Sequence, residues 1–285
     1  MISIIICSRN TDISFKLSNN ILKTIGVEYE LIVIDNSKNK HSISSAYNEG
    51  VKKAKFPYLC FMHDDIFYHT YEWGKKVIAH FNETKIGIIG ITGTHFLPKT
   101  PSGWYQPMIT SGGCLQRVIS SDDQSLVLAQ NLSRFSDTKS ICAVAVDGMW
   151  FCIPKELFFQ IKFDEEIFMG FHCYDLDICL QIRRLEYSVK IIADVLLEHS
   201  SSGSFDIDWI DSTNKLFKKW KSELPQIAGV EVDDKEVGIR TDLVSEVLVW
   251  ISSYAQSQKE LLQVRQSKAY KLGKILLKYF RWIKL

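Results

Sequence analysis

No Gly-x-Gly-x-x-Gly follows the early apolar runs of this chain, and Gly-x-x-x-x-Gly-Lys-Ser/Thr occurs nowhere in it. A diphosphate bound here therefore does not rest on a glycine-lined helix start, and its charge must be met in another way. The seven cysteines (7, 60, 114, 142, 152, 173 and 179) contain no Cys-x-x-Cys pair. Their odd number and irregular spacing exclude a disulfide framework and point to a reducing, cytoplasmic setting. Several lie inside apolar runs, where cysteine acts as a small hydrophobe. No uninterrupted apolar run reaches the roughly 18 residues of a spanning helix. The chain enters an apolar strand at Ile2 with no basic leader before it, so no signal peptide is expected. Neither sign of charge dominates: the net charge is +1, which gives no footprint for nucleic acid.

Three apolar runs dominate the first 65 residues: Ile2–Cys7, Leu31–Asp35 and Tyr58–Met62. Each is short, rich in β-branched or aromatic residues and without strict alternation, as in strands buried on both faces. Lys16–Ile25 and Ser42–Ala54 are long enough for crossover helices, which predicts an α/β fold with a mainly parallel sheet. A fourth strand is expected over Ile86–Ile91, another over Ala143–Val146 and another over Val189–Ala193. Helices are expected from Pro154, over Tyr174–Leu185, from 205 to Trp220 and over Thr241–Val264. Residues 96–140 are rich in Gly, Pro, Ser, Gln and Trp and read mostly as long loops over a site. The organisation expected is a domain over 1–225 and a helical region over 226–285, with a polar linker from Pro225 to Glu236 at their junction and no internal repeat.

Ligands of such sheets bind beyond the carboxyl ends of the strands. Those ends carry Ser8-Arg9-Asn10, Asp35-Asn36-Ser37 and His63-Asp64-Asp65. The acids after the third strand suit a hard divalent cation, Mg²⁺ or Mn²⁺, bridging carboxylate and diphosphate. The alternative is that they cap the next helix. A second cluster runs Gly170-Phe171-His172-Cys173-Tyr174-Asp175-Leu176-Asp177. Asp175 shares the inward stripe of Ile178, Ile182 and Leu185, whereas Asp177 falls with Gln181 and Arg184. Asp175 is therefore the candidate general base, ionised at a helix N-terminus, and Asp177 a first-turn acid complementing the helix dipole. His199 leaves a strand into a Ser/Gly loop; taken alone it reads as a surface histidine, and with Asp65 it is a candidate metal ligand.

The ordered set Ser8-Arg9-Asn10, Asp35-Asn36-Ser37, Ala46-Tyr47-Asn48-Glu49-Gly50, His63-Asp64-Asp65, Asp147-Gly148, Tyr174-Asp175-Leu176-Asp177 and His199 resembles family 2 glycosyltransferases of the GT-A fold, over roughly residues 1–225. The resemblance implies a GT-A-like, mixed and mainly parallel sheet with helices on both faces. It implies that Ser8, Arg9, Asn10, Asp35, Asn48 and Asp64 serve the nucleotide-sugar donor and that Asp65 and His199 serve a metal. His63 stands where the family's first metal-motif Asp lies. Asp175 matches the family's base. Asp147, Gly148 and Trp150, with Trp104 of the long loop, fall on the acceptor side. Trp104, Tyr105 and Trp150 either stack on sugars or pack in the core. Gln181 occupies the place of a family Arg.

The activity so implied is inverting transfer from a nucleoside diphosphate sugar, UDP-linked, to a hydroxyl of a glycan or lipid-linked glycan, as in polysaccharide biosynthesis. The alternatives are a nucleotidyltransferase and a non-catalytic nucleotide- or glycan-binding module. Residues 265–285 hold seven basic residues and no acid, spaced 3, 3, 3, 4, 3 and 3 along one side of a helix. This suggests a peripheral anchor on anionic lipid at the inner face of the membrane, or instead a helix that packs on the domain or pairs a homodimer.

Overall fold

The computed structural model describes residues 1–83, 85–104, 110–119, 124–131, 139–201, 205–231, 233–272 and 274. The chain begins β1 (Ile2–Ser8), α1 (Phe15–Thr24), β2 (Tyr29–Asp35), α2 (Ile43–Lys53), β3 (Tyr58–Met62). Ser14 and Ser42 start the two helices by accepting from the amides of Leu17 and Ser45, which satisfies a donor that the first turn leaves open. The two crossovers set β1 parallel to both β2 and β3. There follow β4 (Ile66–Tyr68), α3 (Trp73–Phe81), β5 (Ile86–Gly90), β6 (Thr92–Thr94), β7 (Phe96–Leu97), β8 (Thr110–Ile119), β9 (Gln124–Asn131), β10 (Ser140–Ala143), β11 (Ala145–Val146) and β12 (Trp150–Pro154). A 3-10 turn (Lys155–Phe159), α4 (Tyr174–Arg184), β13 (Ser188–Ile192), β14 (Leu197–His199), α5 (Ile207–Trp220), β15 (Gln226–Ile227) and α6 (Asp234–Gln266) complete it.

The main sheet has seven strands in the order β10-β13-β5-β12-β3-β1-β2. β1, β2, β3, β5 and β13 share one direction, and β12 and β10 oppose it. Helices cover both faces. Tyr47 of α2, Ile178 and Ile182 of α4 and Trp220 of α5 join one core, while Leu17 and Ile21 of α1 and Trp73 and Val77 of α3 join the other. This is the mixed, mainly parallel α/β architecture expected from the strand pattern. A second sheet, β11-β6-β8-β14-β4 with β9 on β8, joins the short strands β11, β6, β14 and β4 to the longer β8 and β9. Its pairing of β14 with β4 sets His199 opposite Ile66.

Several expectations are corrected. The stretch 96–140 is not mostly loop: β7 lies in it, and β8 and β9 form an antiparallel hairpin. Its Gly112 marks no turn. At φ +90° it passes beneath the carbonyl of Ile91, where a Cβ would lie 1.9 Å from that oxygen. Ala143–Val146 is two strands in two sheets, because the chain changes sheet at Val144. The turn after Pro154 is 3-10 rather than α. Part of the linker forms β15, which pairs with β7. α6 begins earlier than expected, at Asp234, with Asp233 accepting from the amide of Glu236. Among its described residues only Ala255 is buried. The basic tail expected over 265–285 falls outside the described residues at 273 and from 275 onward, as does Tyr105. No helix among the described residues is long and apolar enough to cross a membrane.

Gly50 decides how closely α2 lies on β1. A Cβ there would come 2.3 Å from Cγ2 of Ile5, a fully buried, stiff, β-branched neighbour. Helix propensity favours alanine at this position by about 1 kcal/mol, but overpacking a closed core costs about 1–3 kcal/mol. Gly50→Ala is expected to lower stability in urea unfolding, and a neutral or stabilising result would show that α2 can move off the sheet.

Candidate active site

The site is assembled by two strand pairings. β12 runs antiparallel against β3, with Trp150 opposite Met62, and the amide of His63 continues that ladder to the carbonyl of Met149 at 3.0 Å. The turn Asp147-Gly148 is thereby laid beside the end of β3. β14 against β4 brings His199 to Asp65, and the amide of Ser200 donates to the Asp65 carbonyl at 3.3 Å. His63 Nδ1 then lies 3.3 Å from His199 Nε2, and His199 Nε2 lies 3.4 Å from Asp65 Oδ1.

One ligating atom each from His63, Asp65 and His199 falls within 4.8 Å of the others. Asp65 Oδ1 is buried and accepts no hydrogen bond among the described residues. A buried carboxylate oxygen left without a donor, with two imidazole nitrogens turned toward it, is an arrangement a cation resolves. Burial, and then His199, push the His63 imidazole down to about 4 against the pull of Asp65. Burial lowers His199 as well. Both rings are therefore neutral near pH 7 and present lone pairs, the state a metal needs. The residues fit a divalent cation. Asp65 and His199 were expected here. His63 was read only as a replacement for an acid, and its place two residues before Asp65 was the signal that it could be a ligand itself.

Tyr174 links this cluster to the carboxylates. Its hydroxyl donates to the carbonyl of Gly148 at 3.0 Å and lies 3.3 Å from His63 Nε2. Gly148 leaves room for that hydroxyl: a Cβ would sit 2.3 Å from it. Asp175, in the first turn of α4, accepts from the amides of Gly148 and Leu176, each at 2.9 Å. Burial raises its carboxyl to about 6 despite those donors. Asp147 is raised further, to about 7, by burial and then by Asp175. Two acids thus share one corner of the site and titrate near neutrality.

Asp177 points elsewhere, as its helical spacing indicated, but it does more than complement a dipole. It is buried and binds Lys219 at 2.7 Å, the Trp220 indole at 2.8 Å and Gln181 at 2.8 Å. Its carboxyl is raised by burial while Lys219 pulls it down. It clamps α4 to α5. Gln181 belongs to the same clamp and also bonds the backbone of Lys162.

On the donor side, Ser8 and Asp35 are neighbours in register at the ends of β1 and β2. Arg9, Asn10 and Asp35 are exposed there. Ser8 is buried and donates to Asp64 at 2.5 Å, so its hydroxyl positions that carboxylate. Asn48 does not reach this edge, because both ends of its amide bond the backbone of Phe163, at 2.8 and 3.1 Å. A cavity of about 370 Å³ beside Asp64 and Asp65 is lined also by Ser14, Lys16 and Glu198. On the acceptor side, Trp150 is wholly buried. Its indole donates to Tyr68 at 2.7 Å, and it meets Trp73 edge-on. Trp104 packs, partly buried, against the core. For Trp150 core packing prevails over sugar stacking.

Residues 3–220 match the family described as glycosyltransferase-like, and the chain belongs to that family, in its family 2-like branch. No curated protein shows a significant match. Among solved structures, the chain is similar to GalNAc-T7 with UDP, GalNAc and Mn²⁺, at 11% identity over 82% of this chain and 53% of that one, with a TM-score of 0.51. It is also similar to S. aureus TarS 1-349, at 14% identity over 70% of this chain and 60% of that one, with a TM-score of 0.43. The chain spans about half the length of the GalNAc-T7 chain. The fold is that of the GT-A glycosyltransferases, and glycosyl transfer is the chemistry this family defines.

Mn²⁺ titrated into the protein and followed by electron paramagnetic resonance is expected to bind at a single strong site. His63→Ala, Asp65→Asn and His199→Ala should each weaken it by about tenfold or more. Asp64→Asn should weaken it less, since Asp64 faces Ser8. Equal binding by all four variants would place the cation elsewhere.

Proposed function

We propose that the protein is an inverting glycosyltransferase that moves a sugar from a nucleoside diphosphate sugar to a hydroxyl of a glycan or lipid-linked glycan. The observation that carries this reading is the convergence of His63, Asp65 and His199 beside a buried Asp175 whose carboxyl titrates near 6. A carboxyl held at such a value suits a general base working near neutrality. The UDP bound by GalNAc-T7 supports a UDP-sugar as donor. Arg9, Asn10 and Asp35 at the open edge would meet its base and ribose, and Lys16 and Asp64 line the cavity where the diphosphate would lie. Membership of the glycosyltransferase-like family sets nucleotidyl transfer aside.

In this reading Asp175 accepts the proton of the acceptor hydroxyl as its oxygen attacks the anomeric carbon from the face opposite the diphosphate. The diphosphate leaves with the bonding electron pair. The hydrogen bonds from Gly148 and Leu176 hold the carboxylate in one orientation, so the proton transfer requires little rearrangement. A cation held by His63, Asp65 and His199 would supply positive charge for the departing diphosphate. Two imidazoles and one carboxylate favour Mn²⁺ over Mg²⁺, which prefers an all-oxygen shell. The catalytic unit is taken as residues 1–225, working at the cytoplasmic face of a membrane with the basic tail of 226–285 toward anionic lipid.

Asp175→Asn is expected to lower kcat by about 10²–10⁴-fold with donor affinity nearly intact, because a base acts in the transition state. Transfer by the native protein should fall as pH drops through about 6, since the base works only when ionised. That limb should vanish from the residual activity of Asp175→Asn. If Asp147→Asn shows this loss and Asp175→Asn does not, the more exposed Asp147 is the base. UDP-sugar binding without turnover, with Mn²⁺ present and with any glycan offered, would leave only a binding module.

A further inference from the structure

A groove of about 900 Å³ lies between the start of α5 and the middle of α6. Phe205, Trp250 and Tyr254 line it, and they leave 47%, 77% and 63% of their surfaces to solvent. Asp208 and Gln258 share the same lining. Broad apolar ring faces interleaved with carboxylate and amide groups match a ligand with C–H faces and hydroxyl edges. We propose that this groove binds the acceptor glycan at sugars remote from the transferred bond, an inference that rests on the glycosyltransferase reading above.

Two features select this occupant. The first is continuity with the candidate active site. Asp206, at the groove, pairs with His172 at 3.6 Å, and the neighbouring Phe171 packs on His63 with ring centroids 5.3 Å apart. Phe171 is itself half exposed. Apolar ring surface is therefore offered both at the metal cluster and in the groove, joined by one short stretch of chain contacts. The second is charge. The groove carries Asp206 and Asp208 against the single base Lys259. This lining repels anionic headgroups and polyanionic glycans, so the ligand is a neutral or amino-sugar chain.

The test uses the full chain without any nucleotide sugar. Defined tetra- to hexasaccharides of neutral hexoses and N-acetylhexosamines are screened by saturation-transfer NMR and tryptophan fluorescence. At least one should bind, with Trp250→Ala and Tyr254→Ala each weakening it about tenfold. Leu243→Ala, which removes an exposed apolar side chain of α6 outside the groove, should bind as the native chain does. With the matching acceptor, Trp250→Ala should raise KM far more than it lowers kcat. Absence of binding across the panel, equal loss in Leu243→Ala, or a native dimer that Trp250→Ala converts to monomer would overturn the proposal, the last by giving the groove to a second copy. Because donor is absent, a negative result leaves the donor reading standing, and a failed donor assay leaves glycan binding to be judged on its own.

Discussion

The site depends on one strand. β12 enters the main sheet antiparallel between β3 and β5, and its five residues, Trp150 to Pro154, pair with Met62 to Tyr58 along the length of β3. Register in a sheet buried on both faces is not negotiable, because a slip of one residue would turn Phe151 out of one core and Trp150 out of the other. With that register held, the preceding turn has one place to go. Asp147 and Gly148 arrive at the end of β3, the Gly148 amide meets Asp175, and its carbonyl meets the Tyr174 hydroxyl. The acid corner of the site is a consequence of how one buried strand is seated, and the imidazole corner adds the pairing of β14 with β4.

The polar groups around that corner divide into those that hold the fold and those proposed to act. Ser8 holds Asp64, Asn48 holds the backbone at Phe163, and Asp177 holds Lys219 and Trp220. Ser8 adjoins the exposed Arg9, and Asp177 lies two residues from Asp175. Holding residues are satisfied by short hydrogen bonds in buried settings. The residues proposed to act carry other marks: a buried Asp65 oxygen that accepts no hydrogen bond among the described residues and faces His199, and an Asp175 carboxyl that burial raises to about 6 despite two backbone donors. Such groups cost stability in the free protein, and they persist at sites where a ligand or a reaction uses them.

Much of this was legible in the chain itself. The polar ends of β1, β2 and β3 pointed to the candidate site, because strand runs and their terminators are local signals. The separation of Asp175 from Asp177 followed from helical geometry alone. What was not legible depends on partners distant in sequence. Nothing near Trp150 says that its indole will meet Tyr68, so an aromatic near the site could be assigned to substrate or to core with equal reason. The antiparallel seat of β12 is invisible in a short apolar run that suits either direction. Gly112 and Gly113 looked like loop, although Gly112 serves a close strand contact. His63 was read by residue type at a motif position, whereas its place beside His199 follows from where β14 is delivered.

α6 adds a different consequence. The helix runs 33 residues, and among its described residues it buries only Ala255. The two cores are complete without it, so nearly every position along it can change with little effect on folding. Mutational tolerance is therefore distributed unevenly along this chain. The sheet that carries the chemistry can accept few substitutions, and the outer helix can accept many. A lineage of such proteins is free to explore new surfaces on α6 while its catalytic geometry stays inherited.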